Sequence, residues 1–301
     1  MNLRVGPINA ATPTPLTPDG ALDITSAKRL CQRWLNLGLD GVFLLGTMGE
    51  GLLLAEEVRA TFLELALAEA GSRLTIFAGA ADLSRARMRD RALRYARMGA
   101  HCIVLCLPPN VAPKTAIADV KAVADACPVP CAYYEIPLNT GTALLLDEIR
   151  DILAHGNILV FKDSSGHDLI AQGLTAESLR PKGCSLLDGN EYRTAFSAML
   201  GYDGVLHGGG VLTGRWVRTI WEKTRQGLSA EAMAMDREKA LFLGRVYGRF
   251  TRPPCPIVGQ KYALKLLGVL DHETVVADQQ LDDTARARIA AAVQEHHSWL
   301  V

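Results

Sequence analysis

The feature that most constrains the fold of this chain is a regular alternation of short apolar runs with longer amphipathic segments. The strand-like runs span 8–12, 41–46, 74–79, 102–107, 131–136, 158–162, 184–189 and 204–208. The helix-like segments between them include 24–37, 55–70, 84–98, 115–126, 145–154, 191–200 and 212–226. Most strand-like runs are apolar throughout, which is typical of parallel strands that helices cover on both faces.

Counting gives eight strands and eight helices in strict alternation, which indicates an α/β fold and favours a (β/α)8 TIM barrel. The alternative, a doubly wound open sheet, lacks its usual G-x-G-x-x-G after the first strand. Three helix-like segments without strands follow, at about 230–247, 257–268 and 283–297, with a stiff connection at 249–256. We therefore predict a (β/α)8 barrel over residues 1–228 and a C-terminal helical extension, residues 229–301, packed on the barrel.

Composition excludes several classes of partner. Among 301 residues, 32 are Lys or Arg and 32 are Asp or Glu, so nothing indicates binding to nucleic acid or to an anionic membrane. No apolar run is long enough to span a bilayer and the N-terminal segment has no signal core, so we expect a soluble cytoplasmic protein. The seven cysteines form no C-x-x-C and no zinc set with histidine, which predicts free, mostly buried thiols and no metal.

The buried strand at 158–161 ends in Lys162, where a TIM barrel carries its active site. An ammonium group in an apolar barrel loses its hydration, so its pKa falls. The neutral amine is then a nucleophile that forms a Schiff base with a carbonyl. A structural ion pair with Asp163 or another carboxylate is the alternative, and the lysine alone does not decide between them.

Other strand ends supply groups that suit the same chemistry. Tyr134 offers a phenol that can move a proton, and Thr47 offers a hydroxyl that can relay it. The loop 46–51 is expected to open a helix and to present backbone N–H groups to a carboxylate. A lysine, a phenol and an anion-binding loop on one face of a barrel suit a 2-oxo acid.

Three motifs in order make the chain, from about residue 5 to 295, resemble the dihydrodipicolinate synthase/N-acetylneuraminate lyase superfamily. They are "GTMGEG" at 46–51, "YYEIPLNTG" at 133–141 and "FKDSSG" at 161–166. The 28-residue interval from Tyr134 to Lys162 also resembles the spacing in that superfamily. Its members are Schiff-base aldolases, dehydratases and synthases that need no metal.

The resemblance implies a role for each candidate residue. Lys162 would form an imine with the C2 carbonyl of pyruvate or a longer 2-oxo acid, Tyr134 would act as general acid and base, and Thr47 would hydrogen-bond Tyr134. The implied substrate-binding residues are Gly46, Met48, Asn139, Ser164, Gly189, Asn190, Glu191, Leu206 and Gly208. Apart from the covalent lysine imine no cofactor is implied, and the implied assembly is a homotetramer built as a dimer of dimers.

The chain departs from the dihydrodipicolinate synthase pattern in three places. Met48 replaces a second Thr or Ser, Asn139 stands where those enzymes have an arginine, and no tyrosine occurs between residues 96 and 132. "Asn-Thr-Gly" after the Tyr-x-x-Pro turn is similar to 4-hydroxy-2-oxoglutarate aldolases. The three glycines 208–210 would either make room for a longer substrate or form a phosphate-binding or merely tight turn.

The sequence therefore favours a lyase that cleaves a 4-hydroxy-2-oxo acid into pyruvate and an aldehyde. Dehydration of a 2-oxo-3-deoxy sugar acid is the second hypothesis, because the same enamine can expel a hydroxyl group. Condensation of the dihydrodipicolinate synthase type and a non-catalytic 2-oxo-acid-binding protein remain as alternatives.

Overall fold

The computed structural model describes residues 3–248 and 255–301. Within these ranges the strands β1 to β8 are Ile8–Ala11, Gly41–Leu44, Thr75–Gly79, Cys102–Leu105, Cys131–Glu135, Ile158–Asp163, Ser185–Asp188 and Gly204–His207. The helices α1 to α13 are Ile24–Asn36, Glu56–Ala70, Arg85–Met98, Pro113–Ala126, Pro137–Thr140, Leu146–Leu153, Asp168–Thr175, Thr194–Leu200, Gly210–Arg225, Ser229–Tyr247, Pro256–Leu266, Asp283–Glu295 and His297–Leu300.

The eight strands are parallel and form a closed barrel in which β8 pairs with β1. The predicted TIM barrel with C-terminal helices is therefore confirmed, and all eight strand-like runs coincide with strands. Among the described residues, two barrel helices fall wholly outside the predicted segments, and α13 lies beyond them except for its first residue. Helix α5 is a single turn after β5, and α7 has only eight residues, including Gly173, so neither is long enough to show a helical period.

Side chains that point into the barrel form a compact inner core. This core comprises Ala11, Phe43, Phe77, Cys102, Val104, Ala132, Tyr134, Val160, Leu187 and Leu206. A larger apolar layer lies between the strands and the surrounding helices. The barrel interior is thus packed with side chains, as TIM barrels generally are, and groups at its carboxyl end rest on an apolar floor.

Two contacts show how the C-terminal helices pack on the barrel. Trp299 of α13 stacks on Trp216 of α9, with ring centroids 5.3 Å apart. Lys261 of α11 forms a buried ion pair with Glu50, in the loop after β2, at 2.7 Å. Most of the predicted stiff connection, residues 249–254, lies outside the described residues, and the boundary at residue 228 stays a prediction.

All seven cysteines are free thiols, and six of them are buried, while Cys106 is half-buried. In the part of the chain that the structure describes, no helix combines the length and the apolar character needed to cross a bilayer. The same residues contain no group of three or more His, Cys, Asp or Glu side chains placed to hold a metal ion.

Candidate active site

Lys162 and Tyr134 lie side by side on the inner face of the barrel. The register of β5 and β6 pairs the two residues, and partners in a parallel register point to the same face. Lys162 Nζ lies 3.9 Å from the centroid of the Tyr134 ring and 5.0 Å from that of Phe43. The two rings meet edge to face, 5.9 Å between centroids. The amine therefore sits in an aromatic corner, with the residue only 5% exposed.

The amine of Lys162 lacks the ion-pair partner that each of the two fully buried lysines, Lys239 and Lys261, has. Lys239 pairs with Asp236 at 2.8 Å and Lys261 pairs with Glu50 at 2.7 Å. Among the described residues, no carboxylate lies within ion-pair distance of Lys162. Burial without an ion-pair partner favours the neutral amine.

Asp163, the ion-pair partner that the sequence left open, is engaged elsewhere. It follows Lys162 on β6 and so points to the opposite face of the strand. Its Oδ2 accepts a hydrogen bond from the Tyr202 hydroxyl at 2.6 Å, and its Oδ1 accepts one from the Ser165 backbone at 2.9 Å. The structure therefore favours the nucleophile interpretation of Lys162 over a structural pair with Asp163.

Burial lowers the pKa of Lys162 to about 7, and the negative charge of Glu191 opposes this shift. A lysine with such a pKa is substantially unprotonated at neutral pH. The unprotonated form is the one that attacks a carbonyl. The environment thus gives this side chain the reactivity that Schiff-base formation requires.

We predict that the rate of imine formation with pyruvate rises with pH and is half-maximal near pH 7, because the amine becomes neutral as pH passes its pKa. Reductive trapping across a pH series measures this rate. Glu191→Gln removes the charge that holds the pKa up, so its midpoint should move to lower pH. A native midpoint near the ordinary lysine value of 10.5 would contradict the account.

The Tyr134 hydroxyl belongs to a chain of hydrogen-bonded groups. Burial raises the pKa of Tyr134 to about 12, and hydrogen bonds with Ser164 and Thr47 act in the opposite direction. Asn139 extends the chain, since its Nδ2 donates to Thr47 Oγ1 at 3.0 Å. The phenol therefore stays protonated at neutral pH and can donate to a reacting oxygen.

The loop after β2 is a series of turns and does not open a helix, because α2 begins only at Glu56. This corrects the expectation of a helix N-terminus at 46–51. Two residues that are not glycine, Leu45 and Glu50, adopt left-handed φ angles of 63° and 55° in this loop. Such conformations cost of order 1–3 kcal/mol each and persist only where the surroundings enforce them. The ion pair between Glu50 and Lys261 supplies part of that enforcement.

The turns leave two of the loop's backbone donors without an acceptor among the described residues. The N–H groups of residues 49 and 51 return to the carbonyl of Gly46, and that of residue 50 returns to Thr47. Within the described residues, the N–H groups of Thr47 and Met48 have no acceptor. Adjacent free amides of this kind form an anion-binding concavity, which fits the carboxylate of a 2-oxo acid.

Gly189 allows the loop after β7 to approach the end of the Lys162 side chain. A β-carbon at this position would collide with Ser164 Oγ and would lie 2.8 Å from the Asp163 carbonyl and 3.4 Å from Lys162 Cε. Only glycine fits there without moving the backbone. Gly189 therefore sets the space around the amine by lacking a side chain.

The side chains of Asn190 and Leu206 are engaged in contacts within the protein. Asn190 Oδ1 accepts from the Tyr192 backbone at 3.1 Å, so this oxygen stabilises the loop. The Leu206 side chain belongs to the inner core below Lys162. A substrate contact by the Leu206 carbonyl stays a prediction from the resemblance.

Glu191, Met48 and Gly208 converge on the side of the mouth formed by β8. The Glu191 carboxylate accepts hydrogen bonds from the Gly209 N–H and from the Tyr247 hydroxyl, the latter at 3.2 Å. A β-carbon on Gly208 would lie 3.3 Å from Met48 Cγ and 3.4 Å from Glu191 Oε1. These predicted residues are thus brought together, although Glu191 is already held by the protein.

The three glycines 208–210 do not all widen the mouth. A β-carbon on Gly209 would lie 2.6 Å from Leu243, and one on Gly210 would lie 2.6 Å from Ala10. A β-carbon on Gly209 would also lie 2.9 Å from Glu191 Oε2, so neighbouring groups already fill the space beside both positions. Their interpretation as a single opening for a longer substrate is therefore wrong for two of the three.

Sequence reasoning missed three residues that shape the site. Phe43 packs over the amine, Tyr247 holds Glu191, and Gln260 donates from Nε2 to the Gly208 carbonyl at 2.7 Å. Phe43 looks like any core residue of a strand, and the other two come from α10 and α11. Only a contact between distant parts of the chain could have revealed them.

A cavity of about 310 Å³ opens beside Tyr134, Thr47 and Asn139. Its wall is mainly aliphatic and includes Leu45, Leu52, Leu53, Val104, Leu107 and Ile136. Among the described residues, its lining contains no Lys or Arg. The cavity is thus suited to an uncharged part of a ligand whose reactive end lies at Tyr134.

Comparison with known proteins finds relatives along most of the chain. The 4-hydroxy-tetrahydrodipicolinate synthase of Xanthomonas campestris pv. campestris is 29% identical over 231 residues, 76% of each chain. The enzyme of the same name from Stenotrophomonas maltophilia is 32% identical over 211 residues, which cover 69% of this chain and 70% of that one.

Solved structures extend the similarity over the whole fold. Dihydrodipicolinate synthase from Bacteroides thetaiotaomicron superposes with a TM-score of 0.88 at 25% identity, covering 98% of this chain and 100% of the other. Residues 5–295 match the model of the Dihydrodipicolinate synthetase family, nearly the entire sequence. With its closed barrel and its lysine beside a tyrosine, the chain belongs to the Dihydrodipicolinate synthetase family.

Proposed function

We propose that this chain is a Schiff-base lyase that cleaves a 4-hydroxy-2-oxo acid into pyruvate and an aldehyde. The observation that carries the proposal is the buried amine of Lys162, which has no ion-pair partner among the described residues and lies against the phenol of Tyr134. The family comprises pyruvate-dependent lyases and synthases, so the proposal chooses among reactions that share one intermediate.

The proposed reaction begins at the C2 carbonyl. Lys162 Nζ attacks this carbon, and loss of water from the carbinolamine gives an imine. The free N–H groups of Thr47 and Met48 hold the substrate carboxylate. Tyr134 moves the protons that the carbinolamine oxygen and the C4 oxygen gain or lose.

The imine makes the C3–C4 bond breakable. Removal of the proton from the C4 hydroxyl releases an aldehyde, and the bonding electrons move to the imine nitrogen as an enamine. Protonation of C3 and hydrolysis then release pyruvate and restore the amine. No metal or separate cofactor takes part in this proposal.

Two features support cleavage over condensation, although the relatives above are named as synthases. The amide of Asn139 stands where the resemblance places an arginine, and it is engaged by Thr47. The cavity beside Tyr134 has an aliphatic wall without a cation among the described residues. A second substrate that carries its own carboxylate would find no countercharge there.

Dehydration of a 2-oxo-3-deoxy sugar acid is the second candidate, and Glu191 favours it. Its carboxylate faces Gly208 at the mouth and could accept hydrogen bonds from sugar hydroxyls. Loss of a proton from C3 of the imine would give an enamine with the C3–C4 bond intact, and this enamine would expel the C4 hydroxyl group as water after that group gains a proton.

We also propose a homotetramer, arranged as a dimer of dimers. Large apolar side chains on the surface support subunit contacts, notably Leu138, Leu145 and Leu169 at 92%, 72% and 70% exposure.

A screen of 2-oxo acids, with free pyruvate as the readout, tests the proposed function. We expect pyruvate from a 4-hydroxy-2-oxo acid with an uncharged distal group, and slower condensation of pyruvate with aspartate semialdehyde. Condensation at a rate comparable to the best cleavage rate would overturn the assignment. Water loss without pyruvate release would select the dehydratase, and pyruvate binding without any product would select a non-catalytic protein.

A further inference from the structure

We infer that the cavity beside Tyr134 takes an apolar group carried on C4 of the substrate, so that the aldehyde released is aliphatic or aromatic. The inference rests on the proposed function and names the substrate class of the same site. It disfavours two other kinds of 2-oxo acid, those with a second carboxylate and those with the hydroxylated chain of a sugar.

The cavity opens directly onto the reacting groups. Its lining includes Phe43 and Tyr134, whose ring centroids lie 5.0 and 3.9 Å from Lys162 Nζ. It also includes Thr47, whose N–H has no acceptor among the described residues. A 2-oxo acid bound between this N–H and the amine therefore has the cavity beside it to receive the rest of its chain.

The wall of the cavity contains both buried and exposed apolar side chains. Val104 and Leu107 are buried, whereas Leu52 and Leu53 are 50% and 59% exposed. Adjacent leucines that stand in water beside reactive groups provide apolar surface that a ligand can cover. Each methylene that a ligand buries there is worth about fourfold in binding.

The two carboxylates in the lining are already paired within the protein. Glu50 pairs with Lys261 at 2.7 Å, and Asp82 pairs with Arg87 and Arg91 at 2.7 and 2.9 Å. None of these three cations is among the described residues that line the cavity. A second carboxylate on the substrate would therefore meet two negative groups and no cation, and its burial would be unfavourable.

The uncharged polar groups in the lining are also engaged. Asn139 Nδ2 donates to Thr47 Oγ1 at 3.0 Å, and Thr140 Oγ1 bonds to the Ile136 carbonyl at 3.3 Å. Hydroxyl groups that leave water need new hydrogen-bond partners, and their burial without partners costs free energy. The cavity thus suits an alkyl or aryl group better than a hydroxylated chain.

The volume of the cavity limits the size of this group. The cavity measures about 310 Å³. An engineered apolar cavity of about 150 Å³ in another protein is large enough to bind benzene. The space beside Tyr134 therefore accommodates a phenyl ring with further carbons attached, or an alkyl chain of similar volume.

Cleavage of a matched series of 4-hydroxy-2-oxo acids tests the inference, with released pyruvate as the readout. The group on C4 is methyl, propyl, pentyl or phenyl, and a parallel set carries a terminal carboxylate or a hydroxylated chain of the same length as pentyl. We expect kcat/KM to rise about fourfold with each methylene up to pentyl. The pentyl acid should exceed its carboxylated counterpart by roughly 100-fold or more.

Leu53→Lys places a cation at the edge of the cavity and should lower the preference for pentyl over the carboxylated chain by roughly tenfold. The preference is a ratio of two kcat/KM values, so a general loss of activity in the variant does not change it. Leu241→Lys is the matched control, because Leu241 on α10 is 54% exposed and lies outside the cavity lining. It should keep the native preference.

Faster or equal cleavage of the carboxylated or hydroxylated acids by the native chain would overturn the inference and leave the proposed cleavage reaction standing. An unchanged preference in Leu53→Lys would also overturn it. If that variant changes only the size of the assembly in solution, a second copy of the chain covers the cavity instead of the substrate. No pyruvate from any member of the series would overturn both the inference and the proposed function.

Discussion

Replacing Lys162 with alanine is expected to abolish turnover. The reaction needs a covalent imine, and this amine is its only proposed source, so the loss should be on the order of 10⁶-fold, as when a covalent nucleophile is removed. Steady-state release of pyruvate from the best 2-oxo acid measures the effect. No surrounding group should rescue the variant, because the other two buried lysines are held in ion pairs.

The variant should remain folded, which makes the result interpretable. Lys162 forms no ion pair among the described residues, so its removal leaves no buried carboxylate without a partner. Lys162→Met keeps most of the apolar stem and serves as a shape-matched variant, and Lys114→Ala, at an exposed position, is the surface control. Thermal unfolding should give a similar Tm for all of them. Appreciable turnover by either Lys162 variant would reject the nucleophile assignment.

Replacing Tyr134 with phenylalanine is expected to lower kcat by about 10²–10⁴-fold, the usual contribution of a positioned acid or base. The ring remains, so its packing against Phe43 at 5.9 Å should survive. What disappears is the hydroxyl that bonds Thr47 and Ser164. The loss should fall mainly on kcat and not on KM, because a proton-transfer interaction belongs to the transition state.

Imine formation separates the roles of Tyr134 and Lys162. In Tyr134→Phe the amine is intact, so borohydride should still trap pyruvate, although more slowly. Ser165→Ala provides a control, since its hydroxyl lies in a neighbouring loop and bonds the backbone of His167. A phenylalanine variant that keeps most of the native kcat, with only KM altered, would place the acid–base role on another group.

The fold was predictable because its strands carry a strong local signal. A continuous apolar run such as 158–161 can hardly be other than a buried strand in an alternating pattern, and the count of eight then favours a barrel. Helix α7 was not predicted, because its eight residues, which include Gly173, are too few to show a helical period. Helix α5, a single turn, has no period at all.

The site residues could be predicted only where a reactive side chain stands at the end of a strand. Lys162 and Tyr134 meet through the register of adjacent strands, and the closing of the barrel brings Thr47 to the same mouth. The bond from Asn139 to Thr47 joins residues 92 positions apart, and the pair of Lys261 with Glu50 spans 211 positions. No local pattern encodes such contacts, so both emerged only from the structure.

The loop after β2 shows why a motif alone misleads about conformation. Its glycines suggested a helix N-terminus, yet Leu45 and Glu50 take left-handed φ angles that residues of these types rarely adopt. Glu50 is held by its ion pair with Lys261 of α11, and in the same loop the N–H groups of Thr47 and Met48 have no acceptor among the described residues. The conformation of this loop therefore depends on a contact with a distant helix, which the local sequence does not reveal.

The most direct test of the account is borohydride reduction of the native chain with pyruvate, followed by intact mass and peptide mapping. The account predicts one reduced pyruvate unit per chain, on the peptide that contains Lys162. It also predicts no label on Lys239 or Lys261, whose buried amines are held in ion pairs. An unlabelled chain, or a label that persists at another lysine in Lys162→Ala, would contradict the proposal that Lys162 forms a Schiff base.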